Sequence, residues 1–281
     1  MLRIAVPNKG ALNESAQMIL KEAGYRQRKD SKELVVVDPD NSCELFFLRP
    51  RDIAVYVGEG TLDAGITGRD MLYDSGAPAE EILPLGFGGS TFRFAARPGD
   101  FSSVHDLAGH RIATSYAGLL EKHLAEVGVD ARVIKLDGAV ETAIRLGVAD
   151  AIADVVETGT TLRNVGLEVF GEPIMRSEAV LIKRAGAPQN NGLEQLIRRL
   201  QGVLVARDYV MMDYDIRVEN VERAVRLTPG IESPTVSPLH REGWVAVRAM
   251  VPARATQRIM DDLYALGGRG ILVTDILSCR I

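Results

Sequence analysis

Apolar positions in this chain recur with two periods, and their alternation predicts most of its elements. Short apolar runs at Leu2–Val6, Leu62–Ile66, Arg111–Thr114, Arg132–Leu136, Ala151–Val156 and Ala179–Lys183 read as buried strands. Between them, Ala11–Ala23, Arg51–Val57, segments opening at Arg69 and at Ala117, and Leu193 to about Arg207 carry apolar residues at helical spacing. Leu34–Val37 and Glu44–Leu48 flank Pro39-Asp40-Asn41 and predict a hairpin. Strand and helix in alternation predict an α/β protein with largely parallel sheets. The glycine-rich GFGGS after Leu85 and the extended stretch Phe92–Ala96 predict a crossing between two lobes.

The expected core is therefore bilobal, of the type II periplasmic-binding-protein kind, with a ligand in its cleft. Lobe I is expected over 1–90, completed by about 180–208, and lobe II over 91–179. From Tyr209 the pattern changes. Strand Val210–Tyr214, helix Val218–Arg226, strands Thr235–Ser237 and Trp244–Val251, helix Ala253–Leu266 and strand Gly270–Leu277 spell βαββαβ. That order predicts a ferredoxin-like domain over 209–281.

Composition narrows the function classes. A chain of 281 residues is long enough for two or three compact units. Its net charge of −5 argues against a general nucleic-acid surface. Cys43 and Cys279 lie far apart without CxxC spacing, and His105, His110, His123 and His240 show no metal-ligand spacing. No disulfide framework or protein-built metal centre is expected. The opening MLRIAVP reads as a strand rather than a signal peptide, and no apolar run is long enough to span a bilayer. A cytoplasmic protein without membrane or nucleic-acid partners is the expectation.

The chemistry concentrates between Asp137 and Leu162. Val140, Ala143 and Ile144 share one helical face, and Gly147 falls where a C-terminal cap would lie. The run Ala151–Val156 is apolar except for Asp154, which places a carboxylate near the end of a buried strand. Glu157-Thr158-Gly159-Thr160-Thr161 follows, a turn able to aim N–H groups and hydroxyls at an anion ahead of the next helix. An acid for ribose hydroxyls or Mg²⁺, followed by a phosphate cradle, suits a sugar phosphate. A Gly/Thr turn by itself is more often only a helix cap.

Here the whole register adds to the loop. Glu141, Gly147, Ala149, Ile152, Asp154, Val155, Thr158, Gly159, Thr161 and Leu162 match, without a break, the signature of the ATP phosphoribosyltransferase family, and PNKG at 7–10 has its equivalent there too. The chain resembles the long form of that family over essentially its whole length. The resemblance implies transfer of the phosphoribosyl group of phosphoribosyl pyrophosphate to N1 of the ATP adenine, the first step of histidine biosynthesis. It implies Mg²⁺ held mainly by substrate phosphates, feedback inhibition by histidine, and a homo-oligomer of dimers forming a hexamer. Asp154, Glu141 and Lys9 are the expected catalytic groups. Val155, Glu157, Thr158, Gly159, Thr160 and Thr161 are expected to hold the phosphorylated ribose.

Further residues stand at strand ends. Arg49 and Arg51 follow an apolar strand in FFLRPRD, and Arg69 and Asp70 follow Thr67-Gly68. Arg49 and Arg69 are favoured for phosphate neutralisation. Thr114, Ser115 and Tyr116 could line the nucleotide or ribose pocket, with Tyr116 either stacked on adenine or simply packed. Glu141 could instead be solvated or paired with Arg145 four residues on. In the tail, the resemblance suggests that Asp215, Ser233, Thr235 and the backbone near Gly270 form the histidine site. Two other readings compete. A non-enzymatic bilobal protein binding a small anion would explain the lobes but not the signature. A Rossmann-like phosphoribosyltransferase would carry an adjacent acid pair, whereas Asp154 is followed by Val155 and Val156.

Overall fold

The computed structural model of the chain describes residues 1–156, 158–188 and 190–280. The chain divides into two compact units, Met1–Lys21 with Tyr25–Glu194, and Glu22–Gly24 with Gln195–Ile281.

The first unit contains both lobes. Lobe I begins with β1 (Leu2–Pro7), α1 (Ala11–Glu22), the hairpin β2 (Val35–Asp38) and β3 (Cys43–Leu48), and α2 (Pro50–Gly58). It continues through β4 (Ala64–Gly68), α3 (Arg69–Ser75) and β5 (Ala79–Pro84). Lobe II is built from β6 (Ser90–Ala96), β7 (Arg111–Thr114), α4 (Ala117–Val127), β8 (Arg132–Lys135), β9 (Ala151–Val156), α5 (Thr160–Asn164) and β10 (Glu168–Ser177). The chain then returns to the first sheet as β11 (Ala179–Arg184) and enters α6 (Asn191–Asp208).

Among the described residues, the lobe I sheet has the order β2-β3-β1-β4-β11-β5 and the lobe II sheet the order β10-β6-β9-β7-β8. Strands β3, β1 and β4 run parallel, so Pro7, Leu48 and Gly68 end on one edge of the sheet. Strands β8, β7 and β9 do the same in lobe II, ending at Lys135, Thr114 and Val156. Segments 85–89 and Glu178 carry the chain between the two sheets, giving the bilobal α/β core expected from the pattern.

Burial follows the predicted periods. In α1, Leu12, Ala16, Ile19 and Leu20 are buried on one face, and β3 alternates buried with half-buried positions. β4 is buried along its whole length, as a central parallel strand covered on both faces must be. Gly65 lets α2 lie close on this strand: a Cβ there would sit 2.5 Å from Ile53 Cγ2 and 3.1 Å from Ala5 Cβ. Two strands were not legible as periods. Strand β5 is an edge of polar composition. Strand β10 is an edge interrupted by Gly171 and Pro173, with its register shifting between Phe170 and Met175.

The expected signature helix is shorter than its pattern predicts: one 3₁₀ turn at Val140–Thr142 followed by turns. Its apolar face is nevertheless buried through Val140, Ala143 and Ile144. Gly147 closes it in a left-handed conformation (φ 69°), with Val148 N–H donating to the Ala143 carbonyl and Gly147 N–H to that of Ile144. These two bonds are the Schellman pattern of a helix C-terminus.

In the second unit, β12 (Tyr209–Arg217), α7 (Val221–Leu227), β13 (Thr235–Pro238), β14 (Trp244–Pro252), α8 (Thr256–Ala265) and β15 (Arg269–Asp275) follow in turn. Their antiparallel order β13-β14-β12-β15 is that of a ferredoxin-like sheet. Val210, Met212, Tyr214 and Ile216 face the helices and pack with Ala224, Ile259 and Leu263. Met211, Asp213 and Asp215 alternate with them on the other face.

Gly65→Ala is expected to overpack the contact between α2 and the sheet, costing about 1–3 kcal/mol. Thermal unfolding followed by circular dichroism checks this; an unchanged midpoint would mean that α2 is free to move away.

Candidate active site

The candidate side chains stand on loops that leave the carboxyl ends of parallel strands, where open α/β sheets bind their ligands. In lobe I these loops are Asn8–Gly10 after β1, Arg49–Arg51 after β3 and Arg69–Asp70 after β4. In lobe II they are Ser115–Tyr116 after β7 and the turn after β9. Lys9 and Arg49 are exposed on this edge.

Asp154 is the electrostatic centre. Burial is the chief influence on its carboxyl and pushes its pKa above the ordinary carboxylate value, reinforced by the negative charges of Glu141 and Asp70. Opposing them are the Val155 N–H, 2.8 Å from Asp154 Oδ1, and the positive charge of Arg51. Glu141 thus belongs electrostatically to the same site. Among the described residues no ion pair joins it to Arg145.

Asp70 is buried and pinned: its Oδ1 accepts from the Ser177 hydroxyl at 2.9 Å, and its N–H donates to Ser177 Oγ at 3.0 Å. Tyr116 is also buried, packed edge-on against Phe92 with centroids 5.4 Å apart. The Arg51 guanidinium lies over its ring at 4.3 Å. Burial and the nearby Asp70 push the phenol upward, so it remains protonated. Tyr116 thus packs into the lobe II core. Thr114 is buried and accepts the Tyr116 N–H at 3.0 Å, fixing the turn out of β7, while Ser115 Oγ accepts from Arg51 at 3.2 Å.

Arg69 stands apart from this group. It makes paired 2.8 Å bonds to Glu81 and a 3.2 Å bond to Glu178, which raise its pKa further. Glu178 also accepts the Gly86 N–H at 3.0 Å, so Arg69 ties together the two segments that cross between the lobes. Its sequence context resembles that of Arg51, and partners distant in sequence distinguish them, Glu81 and Glu178 for Arg69 against Asp74 and Ser115 for Arg51. Arg51, which the strand-end pattern ranked below Arg49 and Arg69, is the arginine whose positive charge acts on Asp154 and Tyr116.

In the turn after β9, Thr158 and Thr160 bring their hydroxyls within 3.1 Å of each other. Arg163 donates to the Thr158 carbonyl and to Thr160 Oγ1, both at 3.2 Å. Thr158, Thr160 and Thr161 are exposed, and Gly159 precedes α5. Glu157 lies outside the described residues. Arg163 was not anticipated; its only signal is a cation three residues beyond the Thr160 hydroxyl.

In the tail, Gly270 lies against Asp215, where a Cβ would be 3.6 Å from Oδ2. Thr235 is paired with Arg248, which donates to Asp213 Oδ1 at 2.6 Å, and Ser233 is in the turn before β13. Strand β14 thus separates Thr235 from the Asp215–Gly270 pair.

Among the described residues no group of three or more His, Cys, Asp or Glu is arranged to hold a metal ion. The acids of the cleft still suit a hard cation that arrives with phosphate oxygens and needs few protein ligands. No helix is long and apolar enough to cross a membrane among the described residues.

Residues 49–202 match the family described as ATP phosphoribosyltransferase, and residues 206–278 match the one described as HisG, C-terminal domain. An ATP phosphoribosyltransferase of Streptomyces avermitilis is 68% identical over 285 residues, covering 100% of both chains. That of Pseudarthrobacter chlorophenolicus is 67% identical over 284 residues, again covering 100% of each. Among solved structures, the ATP phosphoribosyl transferase (HisG:HisZ) complex from Thermotoga maritima contains a chain similar to this one. Its TM-score is 0.63 at 26% identity, covering 72% of this chain and 97% of that one. These relatives do not favour a non-enzymatic anion-binding protein.

Because the folded Asp154 carboxyl titrates above its unfolded value, ionising it costs stability. That cost is absent below the unfolded value of about 3.9 and grows as pH rises through the folded one. Asp154→Asn is therefore expected to raise the thermal midpoint at neutral pH, with the gain vanishing under acid conditions. Melting curves across pH check this, and a variant less stable at neutral pH would contradict it.

Proposed function

This chain belongs to the ATP phosphoribosyltransferase family, and on that premise we propose how its cleft divides the work. The enzyme transfers the phosphoribosyl group of phosphoribosyl pyrophosphate to N1 of the ATP adenine, releasing pyrophosphate. The attacking ring nitrogen is neutral and needs no strong base. The reaction instead needs alignment of two polyanionic substrates, support for positive charge on the ribose, and neutralisation of the leaving pyrophosphate.

Asp154 accepts the ribose hydroxyls and, once ionised, faces the ring carbon where positive charge develops. Val155 and the turn through Glu157, Thr158, Gly159, Thr160 and Thr161 receive the 5-phosphate, with Arg163 as its neighbouring cation. Helix α5 is too short to contribute much dipole, so the hydroxyls and N–H groups of the turn carry that contact. Glu141 is the second acid of the ribose site. Arg51, with Lys9 and Arg49 on the facing edge, meets the pyrophosphate and the ATP phosphates. Thr114, Ser115 and Tyr116 form the wall that supports Arg51, and Asp70 orders that wall from beneath. Arg69 serves as a brace between lobes. Mg²⁺ would be held mainly by substrate phosphates, with Asp154 or Glu141 as its protein contact, and it supplies charge neutralisation when bound. The observation that supports this reading is that Glu141, Asp70 and Arg51, two acids and a cation drawn from both lobes, all act on the charge of Asp154.

The tail is the regulatory part of the same reading. Histidine, as feedback inhibitor of the pathway it ends, binds with Asp215 at its ammonium or imidazole group and with the Gly270 backbone beside it. Ser233 and Thr235, one strand further across the sheet beyond β14, are the remaining residues of this reading. Dimers assembling into a hexamer and a cytoplasmic location belong to this reading as well.

Asp154→Ala is expected to keep the fold and lose about 10²–10³-fold in kcat, the scale of one lost transition-state contact. The rise in ultraviolet absorbance as the adenine is alkylated measures it, and wild-type turnover would discard the assignment. Removing Tyr209–Ile281 is expected to abolish inhibition by histidine. A truncated chain that is active and still histidine-sensitive would place the inhibitor site elsewhere.

A further inference from the structure

Arg51 opens α2 in lobe I, yet its guanidinium bridges both lobes. It donates to Asp74 Oδ2 at 3.1 Å and to Ser115 Oγ at 3.2 Å, and it lies 4.3 Å over the Tyr116 ring. Asp74, on α3, is the more buried member of the ion pair, with 16% of its side chain exposed against 44% for Arg51. Its other oxygen, Oδ1, accepts the Leu119 N–H at 3.2 Å in the first turn of α4. The two helices meet closely here. A Cβ on Gly118 would come within 2.5 Å of the Asp74 carbonyl oxygen, so the residue beside Leu119 has to be small. One carboxylate thus uses one oxygen to aim the lobe I guanidinium and the other to fix the start of the lobe II helix.

The consequence follows from donor arithmetic. A guanidinium carries five N–H donors in a rigid fork, and the bonds to Asp74 and Ser115 occupy two of them. Among the described residues no further acceptor is bonded to Arg51. The fork is therefore held in place with donors to spare, near enough to Asp154 for its charge to act there. An unanchored arginine at such a strand end would sample many rotamers and lose freedom on meeting an anion, whereas an anchored one has lost it already.

We propose that Asp74 is a positioning residue for phosphoribosyl transfer. It holds Arg51 across the lobe boundary, over Tyr116, poised for the pyrophosphate of the activated sugar. It also makes that pose depend on the contact between α3 and α4. This rests on the reading of Arg51 as the pyrophosphate cation, and the experiment separates the two claims.

Initial rates are measured with both substrates varied for wild type, Asp74→Asn, Arg51→Met and the double variant. Asparagine keeps an oxygen for the Leu119 N–H while removing the charge that orients Arg51. Asp74→Asn is expected to raise KM for phosphoribosyl pyrophosphate about tenfold, with KM for ATP and kcat changing less than about threefold. On the Arg51→Met background the same substitution is expected to have no further effect, because the group through which it acts is gone. Asp74→Glu, which keeps a carboxylate, is expected to recover part of the KM. Equal losses from Asp74→Asn with and without Arg51 would overturn the proposal and leave Asp74 as a helix-start contact only. A wild-type KM in Asp74→Asn, or a Glu variant no better than the Asn one, would overturn it too. A wild-type KM in Arg51→Met would instead remove the premise, showing that another cation meets the pyrophosphate.

Discussion

An aspartate is held where charge is disfavoured, and the proposed work of the cleft depends on that constraint. Asp154 is partly withdrawn from water and shares its surroundings with two other acids, Glu141 and Asp70; one backbone N–H and the guanidinium of Arg51 offset them. The cleft thus carries negative charge that a ligand bearing its own cation, such as a magnesium-bound phosphate, can relieve. In the proposed function, substrate binding and site electrostatics are in this way the same event.

The scaffold keeps these charges from rearranging. Parallel strands deliver Lys9, Arg49, Arg51 and Asp70 to one sheet edge, and a second parallel set delivers Ser115, Tyr116 and the threonine turn to another. Hydrogen bonds, buried at Asp70 and part-buried at Arg69, fix the members near the crossing segments: Asp70 to Ser177, and Arg69 to Glu81 and Glu178. Two arginines with similar sequence settings have therefore taken different work. Arg69 is taken up by Glu81 and Glu178 where the chain crosses between the lobes, while Arg51 is held by Asp74 and Ser115 and keeps free donors.

The parts that sequence made legible are those governed by local period and by contiguous motifs. Helix α1, the hairpin of β2 and β3, the buried strand β9 and the βαββαβ tail all follow from spacing alone, and Gly147 was readable as a cap. The turn after β9 and its acid were readable because every contributing residue is adjacent along the chain. Edge strands β5 and β10 escaped because edges tolerate polar, glycine and proline residues that blur the two-residue period. The signature helix was overestimated because its apolar spacing is satisfied by one 3₁₀ turn and a cap. The roles of Arg51, Arg69 and Asp74 were not readable, since each depends on partners 12 to 109 positions away.

Proton linkage tests the central claim most directly. Phosphoribosyl pyrophosphate with magnesium is titrated calorimetrically at mildly acidic pH, in two buffers of different ionisation enthalpy, into wild type and Asp154→Asn. If the elevated Asp154 carboxyl must ionise to grip the sugar, wild type releases protons on binding, while the asparagine variant binds more weakly without that release. Equal affinity and equal proton release in the two proteins would contradict the account.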